Sequence, residues 1–268
     1  MTDSTLALAR LRRSLERLEP RRAAVQADLF ASGHQGIDAT LGGGLARGRL
    51  HDVFAGEEDC GSGAGVAALL CLCAGAGESR PFLWLRTEAA QKKMGRLHAT
   101  GLGELGIDPA TLLLALVPDE AALLHAAAEA TRCAGLGALL IECWGPMRRL
   151  DLTASRRLML AAEASGVTVL LLRIAAEPQP GAADTRWRVT PAPSIALEAD
   201  APGAPMFDLE LLRRRVGPPA GPWRVEWDRD RACFRDPIPG SPLSRPVLPL
   251  VAGGTVALDP AATLRRAG

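Results

Sequence analysis

The sequence predicts an α/β protein with a mainly parallel sheet flanked by helices, an antiparallel extension towards the C-terminus and a disordered C-terminal tail. Two observations lead there. Between residues 50 and 172, short apolar runs without polar alternation recur four times with helical stretches between them, as strands buried on both faces do. After residue 173 that rhythm gives way to short, turn-separated runs. A chain of 268 residues, 48% of them apolar, is long enough to bury one sizeable core.

The first segment carries Leu8, Leu11, Leu15 and Leu18 at helical spacing, with Arg10, Arg12, Arg13 and Arg17 between them and Pro20 as a stop. So narrow an apolar stripe is marginal alone, and it docks either on its own domain or on a partner or neighbouring protomer. The body then reads as strand 50–54, helix 66–76, strand 82–85, helix 88–100, strand 112–117, helix 119–134, strand 138–141, helix 152–164 and strand 167–172. Residues 177–184, with Pro178, Pro180 and Gly181, predict a mobile loop. Runs at 187–189, 195–197, 209–216 and 223–227 form the antiparallel extension, with Arg213, Arg214 and Arg215 on or near its edge. Beyond Asp236, prolines at 237, 239, 242, 246, 249 and 260 stand among few large side chains and predict disorder. The divisions are therefore 1–35 (helix and lead-in strand), 36–236 (α/β domain) and 237–268 (tail).

Composition narrows the chemistry. There are 31 Lys plus Arg against 30 Asp plus Glu, a net charge of +1, so nucleic-acid binding would rest on a local arginine patch. The absence of tyrosine excludes a tyrosine nucleophile, and the only lysines are Lys92 and Lys93. Six cysteines without a CxxC pair read as small buried hydrophobes of a reducing compartment. The longest apolar stretch, 66–77, is too short to cross a bilayer and the N-terminus has no signal-peptide core, which predicts a cytoplasmic protein without membrane attachment. His34, His51, His98 and His125 are scattered, and Ser62 does not sit in G-x-S-x-G.

In a parallel α/β sheet the ligand site lies beyond the carboxyl ends of the strands. After the first long strand the turn contains Gly56 and Gly61 at the G-x-x-x-x-G spacing of a phosphate loop, but Ser62 and Gly63 stand where lysine and a hydroxyl are required. Glu57, Glu58 and Asp59 crowd the same turn, where like charges oppose a phosphate chain. This is the shape of a Walker A loop in degenerate form, so neither a nucleotide cofactor nor a metal is expected.

Gly36-Ile-Asp38, Leu41 to Leu45 with Gly42, Gly43 and Gly44, and Gly48-Arg49-Leu50 resemble the lead-in to the RecA-type ATPase core. Residues 84–88 look like its strand ending in the catalytic glutamate, here Glu88; residues 105–113 resemble the next segment. Residues 138–142 resemble its Walker B strand, with Glu142 in the aspartate's place. That likeness covers roughly 36–173 and implies a RecA-like core. Residues 42–51 (GGGLARGRLH), 150–157 (LDLTASRR), 162–167 (AEASGV), 185–189 (TRWRV) and 223–227 (WRVEW) extend it to the ImuA family, RecA-like accessory proteins of bacterial SOS-induced mutagenesis.

That resemblance implies a non-catalytic adapter that binds ImuB and RecA and serves, indirectly, an error-prone C-family DNA polymerase in translesion synthesis. It places the protein in the cytoplasm, associated with the nucleoid after DNA damage. Glu88 and Glu142 are then vestigial. Two alternatives stay open: a RecA-like ATPase with a non-standard phosphate loop, possessing a cation from a neighbouring protomer in a homo-oligomer, and a SulA-type division inhibitor.

Three further candidates involve partners. Gln26, Leu29 and Phe30 resemble a sliding-clamp peptide, with the first buried strand as the other reading. Arg186 and Arg188 around Trp187, with Arg213, Arg214 and Arg215, are candidates for weak DNA contact, or else they pair with Asp208, Glu210, Glu226, Asp228 and Asp230. Val247, Leu248 and Leu250 make the tail a candidate partner-binding peptide.

Overall fold

The structure, a computed structural model, describes residues 28–75, 80–197 and 201–237. Leu29–Phe30 (β1) pairs antiparallel with Leu45–Ala46 (β2), and the short helix Gln35–Leu41 (α1) lies between them. The other strands are Leu50–Ala55 (β3), Phe82–Thr87 (β4), Leu112–Val117 (β5), Ala138–Trp144 (β6), Thr168–Ile174 (β7), Thr185–Ala192 (β8), Met206–Arg214 (β9), Ala220–Asp228 (β10) and Cys233–Arg235 (β11). They form one nine-stranded sheet in the order β11-β10-β9-β8-β3-β7-β6-β4-β5. From β8 to β5 every pairing is parallel, and from β8 to β11 every pairing is antiparallel.

The helices are Cys60–Cys73 (α2), Glu88–Met94 (α3), Ala99–Glu104 (α4), Glu120–Thr131 (α5) and Leu152–Ser165 (α6). On one face α2 packs with Val53, Trp84, Leu140, Leu172 and Trp187; on the other, Leu123 and Ala127 of α5 and Leu158 and Ala162 of α6 meet Leu85, Ile141, Val169 and Leu171. Burying each of the valine, leucine and isoleucine side chains among them contributes about 1.5–3 kcal/mol. α2 has buried residues all round, including Val66, Ala67, Ala68, Leu69, Leu70 and Cys71, because Trp227 and Phe234 close over it from the antiparallel strands. Asp119 and Asp151 start α5 and α6 by accepting hydrogen bonds from Ala122 N (2.9 Å) and Ala154 N (2.7 Å).

The antiparallel extension is one-sided. Leu209, Leu211 and Val225 belong to the α2 core, and the opposite face carries a ladder of cross-strand ion pairs, buried at Arg186 and Asp52. Arg186 meets Asp52 across β8 and β3, Arg188 meets Glu210 across β8 and β9, Arg224 meets Asp208 across β10 and β9, and Arg235 meets Glu226 and Asp228 across β11 and β10.

Several expectations need correction. The run at 187–189 belongs to β8, which extends the parallel part by pairing with β3, since the crossover at 175–184 returns the chain in the same direction without a helix. β9 is interior to the sheet, but β10 pairs with it only as far as Leu211, so Arg213 and Arg214 lie at its end, paired with β8 alone. The helix expected over 66–76 starts at Cys60. The helix over 88–100 is two, broken at Gly95 (φ 81°), whose carbonyl accepts from Arg86. Ile195 makes only an isolated bridge, and β11 has no counterpart in the sequence reading. Just after β1, Ser32 O accepts from Phe234 N (2.8 Å). The N-terminal leucine stripe and the proline-rich tail lie outside the described residues, except for Pro237.

Candidate functional site

β3 lies inside the sheet between β7 and β8, and its carboxyl end opens into the turn 56–59 before α2. Asp59 N donates to Gly56 O (3.2 Å), Cys60 N to Glu57 O (3.4 Å) and Gly63 N to Asp59 O (3.0 Å). Three of the N–H groups around the turn are thus engaged within the turn and the first helical turn, those of Gly61 and Ser62 not among them. Gly61, Ser62 and Gly63, expected in the loop, are already helical.

Gly63 decides the local packing. A Cβ placed there would stand 2.5 Å from Ala55 Cβ and 3.3 Å from Leu172 Cδ1, so the helix backbone rests directly on β3. The position matching the magnesium-holding hydroxyl of a phosphate loop is therefore closed by the packing. The position matching the lysine holds the half-buried Ser62.

A lysine does reach this neighbourhood from another element. Lys93 of α3 lies 3.6 Å from Glu57 Oε1 and 4.6 Å from the centre of the Trp144 ring. It neutralises an acid of the turn and lines a cleft of about 320 Å³ with Thr87, Asp119, Glu142, Trp144 and Met147. A second cleft, of about 350 Å³, lies at the ends of β3, β7 and β8 and is lined by Phe54, Gly56, Asp59, Glu177, Arg188 and Thr190.

Glu142 and Glu88 are not brought together. Glu88 is exposed in the first turn of α3, which Thr87 caps by accepting from Ala90 N (3.1 Å). Glu142 is 1% exposed; its Oε1 accepts from Arg86 (3.1 Å) and its Oε2 from Trp84 Nε1 (3.0 Å). Burial pushes its carboxyl above the ordinary range, with Arg86 and Trp84 pulling the other way. Both oxygens are occupied by protein donors. Among the described residues no group of three or more His, Cys, Asp or Glu could hold a metal ion.

The arginines named as DNA-contact candidates are largely engaged. Arg186 is 8% exposed and binds Asp52 through Nε (3.1 Å) and a terminal nitrogen (3.0 Å); burial raises the Asp52 pKa despite that partner. Arg188 pairs with Glu210 at 3.4 Å, Arg213 donates to Gly181 O (2.9 Å), and Arg214 donates to Pro218 O (3.1 Å) and Thr40 O. Arg215 is exposed.

Of the clamp-type residues, Phe30 is 2% exposed in β1, Leu29 is half-buried, and Gln26 lies outside the described residues. Leu8, Leu11, Leu15, Leu18, Val247, Leu248 and Leu250 also lie outside them. No helix among the described residues is long and apolar enough to cross a membrane.

The sequence reading missed the Arg86–Glu142 pair and the Lys93–Glu57 contact. The signal was present: a charge in each of two apolar runs, FLWLRT and LLIECW, requires a partner once both are buried.

The class is thus an α/β domain with the strand–turn–helix topology of a phosphate-binding loop but without its lysine or an open hydroxyl position. No family model matches the chain. Protein ImuA of Caulobacter vibrioides, in strains NA1000 / CB15N and ATCC 19089 / CB 15, is 34% identical to it over 217 residues, covering 76% of this chain and 79% of that protein. The chain belongs to the ImuA family.

Proposed function

We propose that this protein is a non-catalytic RecA-like adapter of error-prone translesion synthesis, holding ImuB and RecA and thereby serving a C-family polymerase. Its place is the cytoplasm, on the nucleoid after DNA damage. The observation that carries the non-catalytic part is the seat of Gly63 on Ala55, which leaves no room for a magnesium-holding side chain. The commitment of Glu142 to Arg86 and Trp84 supports it. So do the turn's acids, one of which already takes up Lys93. The paired arginines of the antiparallel face favour protein contacts over strong DNA binding, because phosphate affinity needs uncompensated cations.

Two measurements on the full chain test this reading. Calorimetry with ATP and magnesium is expected to give no binding heat. Co-purification is expected to retain ImuB and RecA. Micromolar ATP affinity with hydrolysis lost in Glu88→Ala would sink the non-catalytic part, and failure to retain either partner would sink the adapter.

A further inference from the structure

Residues 146–166 carry Arg148, Arg149, Arg156 and Arg157 against Asp151 and Glu163. Both acids are engaged: Asp151 caps α6 by accepting from Ala154 N (2.7 Å), and Glu163 pairs with Arg49 at 2.8 Å. All four arginines are exposed, and none of them forms an ion pair among the described residues. On the antiparallel face the opposite holds, since Arg186, Arg188, Arg224 and Arg235 each meet a carboxylate. Cations without a carboxylate of their own are the ones free to meet an anion from outside.

The helix sets these charges around an apolar pair. Leu158 and Ala162 hold α6 on the sheet, so residues 152, 156, 157 and 160 fall on its outer side. Leu152 is 52% exposed and Leu160 53%, about 12 Å apart along the helix, with Arg156 one turn from each. The third leucine of this helix, Leu158, is buried. Two leucines left half in water on one stripe are apolar area that nothing among the described residues covers.

Charge says what fits. A helix with an apolar stripe and acidic flanks sets its own apolar side chains on Leu152 and Leu160 and its carboxylates against the arginines. The two long segments of this chain outside the described residues have the wrong sign. Residues 1–27 hold six arginines against three acids, and residues 238–268 hold Arg245, Arg265 and Arg266 against Asp259. A nucleic-acid backbone takes up arginines but has nothing apolar to set on the leucines. A membrane takes a helix by a broad apolar face, whereas α6 offers two leucines and is already held to the sheet.

We propose that the outer face of α6, with the arginines that precede it, is a docking surface for an acidic amphipathic helix of another protein. This does not rest on the adapter reading: it specifies the chemistry of an occupant, and the test contains neither ImuB nor RecA.

The probe is a fluorescent peptide of about 18 residues with leucine at every third or fourth position and glutamate on the flanks, titrated with the full chain. Anisotropy is expected to show saturable binding that weakens with salt. Leu152→Asp with Leu160→Asp puts charge into the apolar contact, and Arg156→Glu with Arg157→Glu turns attraction into repulsion; each pair is expected to weaken binding at least about tenfold. A peptide of the same composition with its leucines spread around the helix is expected to bind at least about tenfold more weakly. The substituted positions are exposed, so urea midpoints are expected to stay near wild type, and Leu152→Gln with Leu160→Gln repeats the test without new charge. Absence of binding, equal binding of the rearranged peptide, or binding unchanged in either variant overturns the proposal. So does tighter binding of a duplex oligonucleotide or of phosphatidylglycerol vesicles through the same residues, or self-association that the leucine substitutions abolish; these results assign the face to nucleic acid, to a membrane or to a second copy.

Discussion

Arg86 and Glu142 lie 3.1 Å apart on neighbouring strands, each about 1% exposed, with Trp84 Nε1 holding the second carboxylate oxygen. A buried pair of this kind adds little net stability over apolar residues of similar size, but removing one member leaves an uncompensated charge. Arg86→Met or Glu142→Leu alone is expected to cost about 3–5 kcal/mol, while the double substitution lies closer to wild type. Urea unfolding of the four proteins measures this. Additive single losses would show that the pair is not coupled.

Gly63 gives a second prediction. With Ala55 Cβ 2.5 Å from the position of any added Cβ, Gly63→Thr is expected to destabilise the protein by about 1–3 kcal/mol through overpacking. Rebuilding the phosphate-loop residues as Ser62→Lys with Gly63→Thr is expected to yield no magnesium-dependent ATP hydrolysis. A stable, hydrolysing double variant would mean that the helix yields and the site is only masked.

His51 is buried in a continuous hydrogen-bond chain. Trp187 Nε1 donates to Thr185 Oγ1 (2.8 Å), whose hydroxyl faces His51 Nδ1 (2.8 Å), while His51 Nε2 faces Ala46 O (2.9 Å). The Ala46 carbonyl can only accept, so Nε2 carries the ring proton, and in the neutral ring Nδ1 accepts from the Thr185 hydroxyl. Burial lowers the pKa from 6.5, although the Ala46 carbonyl acts in the opposite sense. The unfolded chain then binds the proton more readily than the folded one. The His51 contribution is therefore present above pH 6.5 and is lost as pH falls towards the lowered folded value. Between pH 7 and 5 the fall in stability is expected to be shallower in His51→Gln than in wild type, by chemical unfolding at each pH. An equal slope would remove His51 from the account.

The thiols should separate by burial. Cys133 is exposed, whereas burial pushes the Cys143 thiol up to about 12 and raises Cys71 as well. In the native protein at pH 8, a disulfide reagent is expected to label Cys133 first and to leave Cys71 and Cys143 untouched until denaturant is added. Persistence of the fast phase in Cys133→Ser would contradict this.

The strand rhythm of the parallel sheet was legible because β3, β6 and β7 are buried along nearly their whole length, so that β6 and β7 hold the apolar runs 138–141 and 169–172. The start of α2 was not legible. Gly61, Gly63 and Gly65 look like loop residues, yet Gly63 at least is small because the helix lies against β3. The acids of β9, Asp208 and Glu210, alternate with apolar residues as a half-exposed edge strand's would, and only the strand order makes that strand interior. The loop's missing lysine could be read from composition; the engagement of the Asp59, Cys60 and Gly63 N–H groups within the turn could not.

What the chain determined by itself were properties local to it: helical and strand periodicity, the absence of lysine outside positions 92 and 93, and the run of acids at 57–59. Tertiary structure decided the rest: that Lys93 meets Glu57, that Arg86 consumes Glu142, that β3 closes the space at Gly63, and that β5 is left as an apolar edge. The reason is physical. Spacing along a chain sets which side chains share a face, whereas charge pairing and steric closure depend on which strands become neighbours, and that is settled only when the sheet assembles.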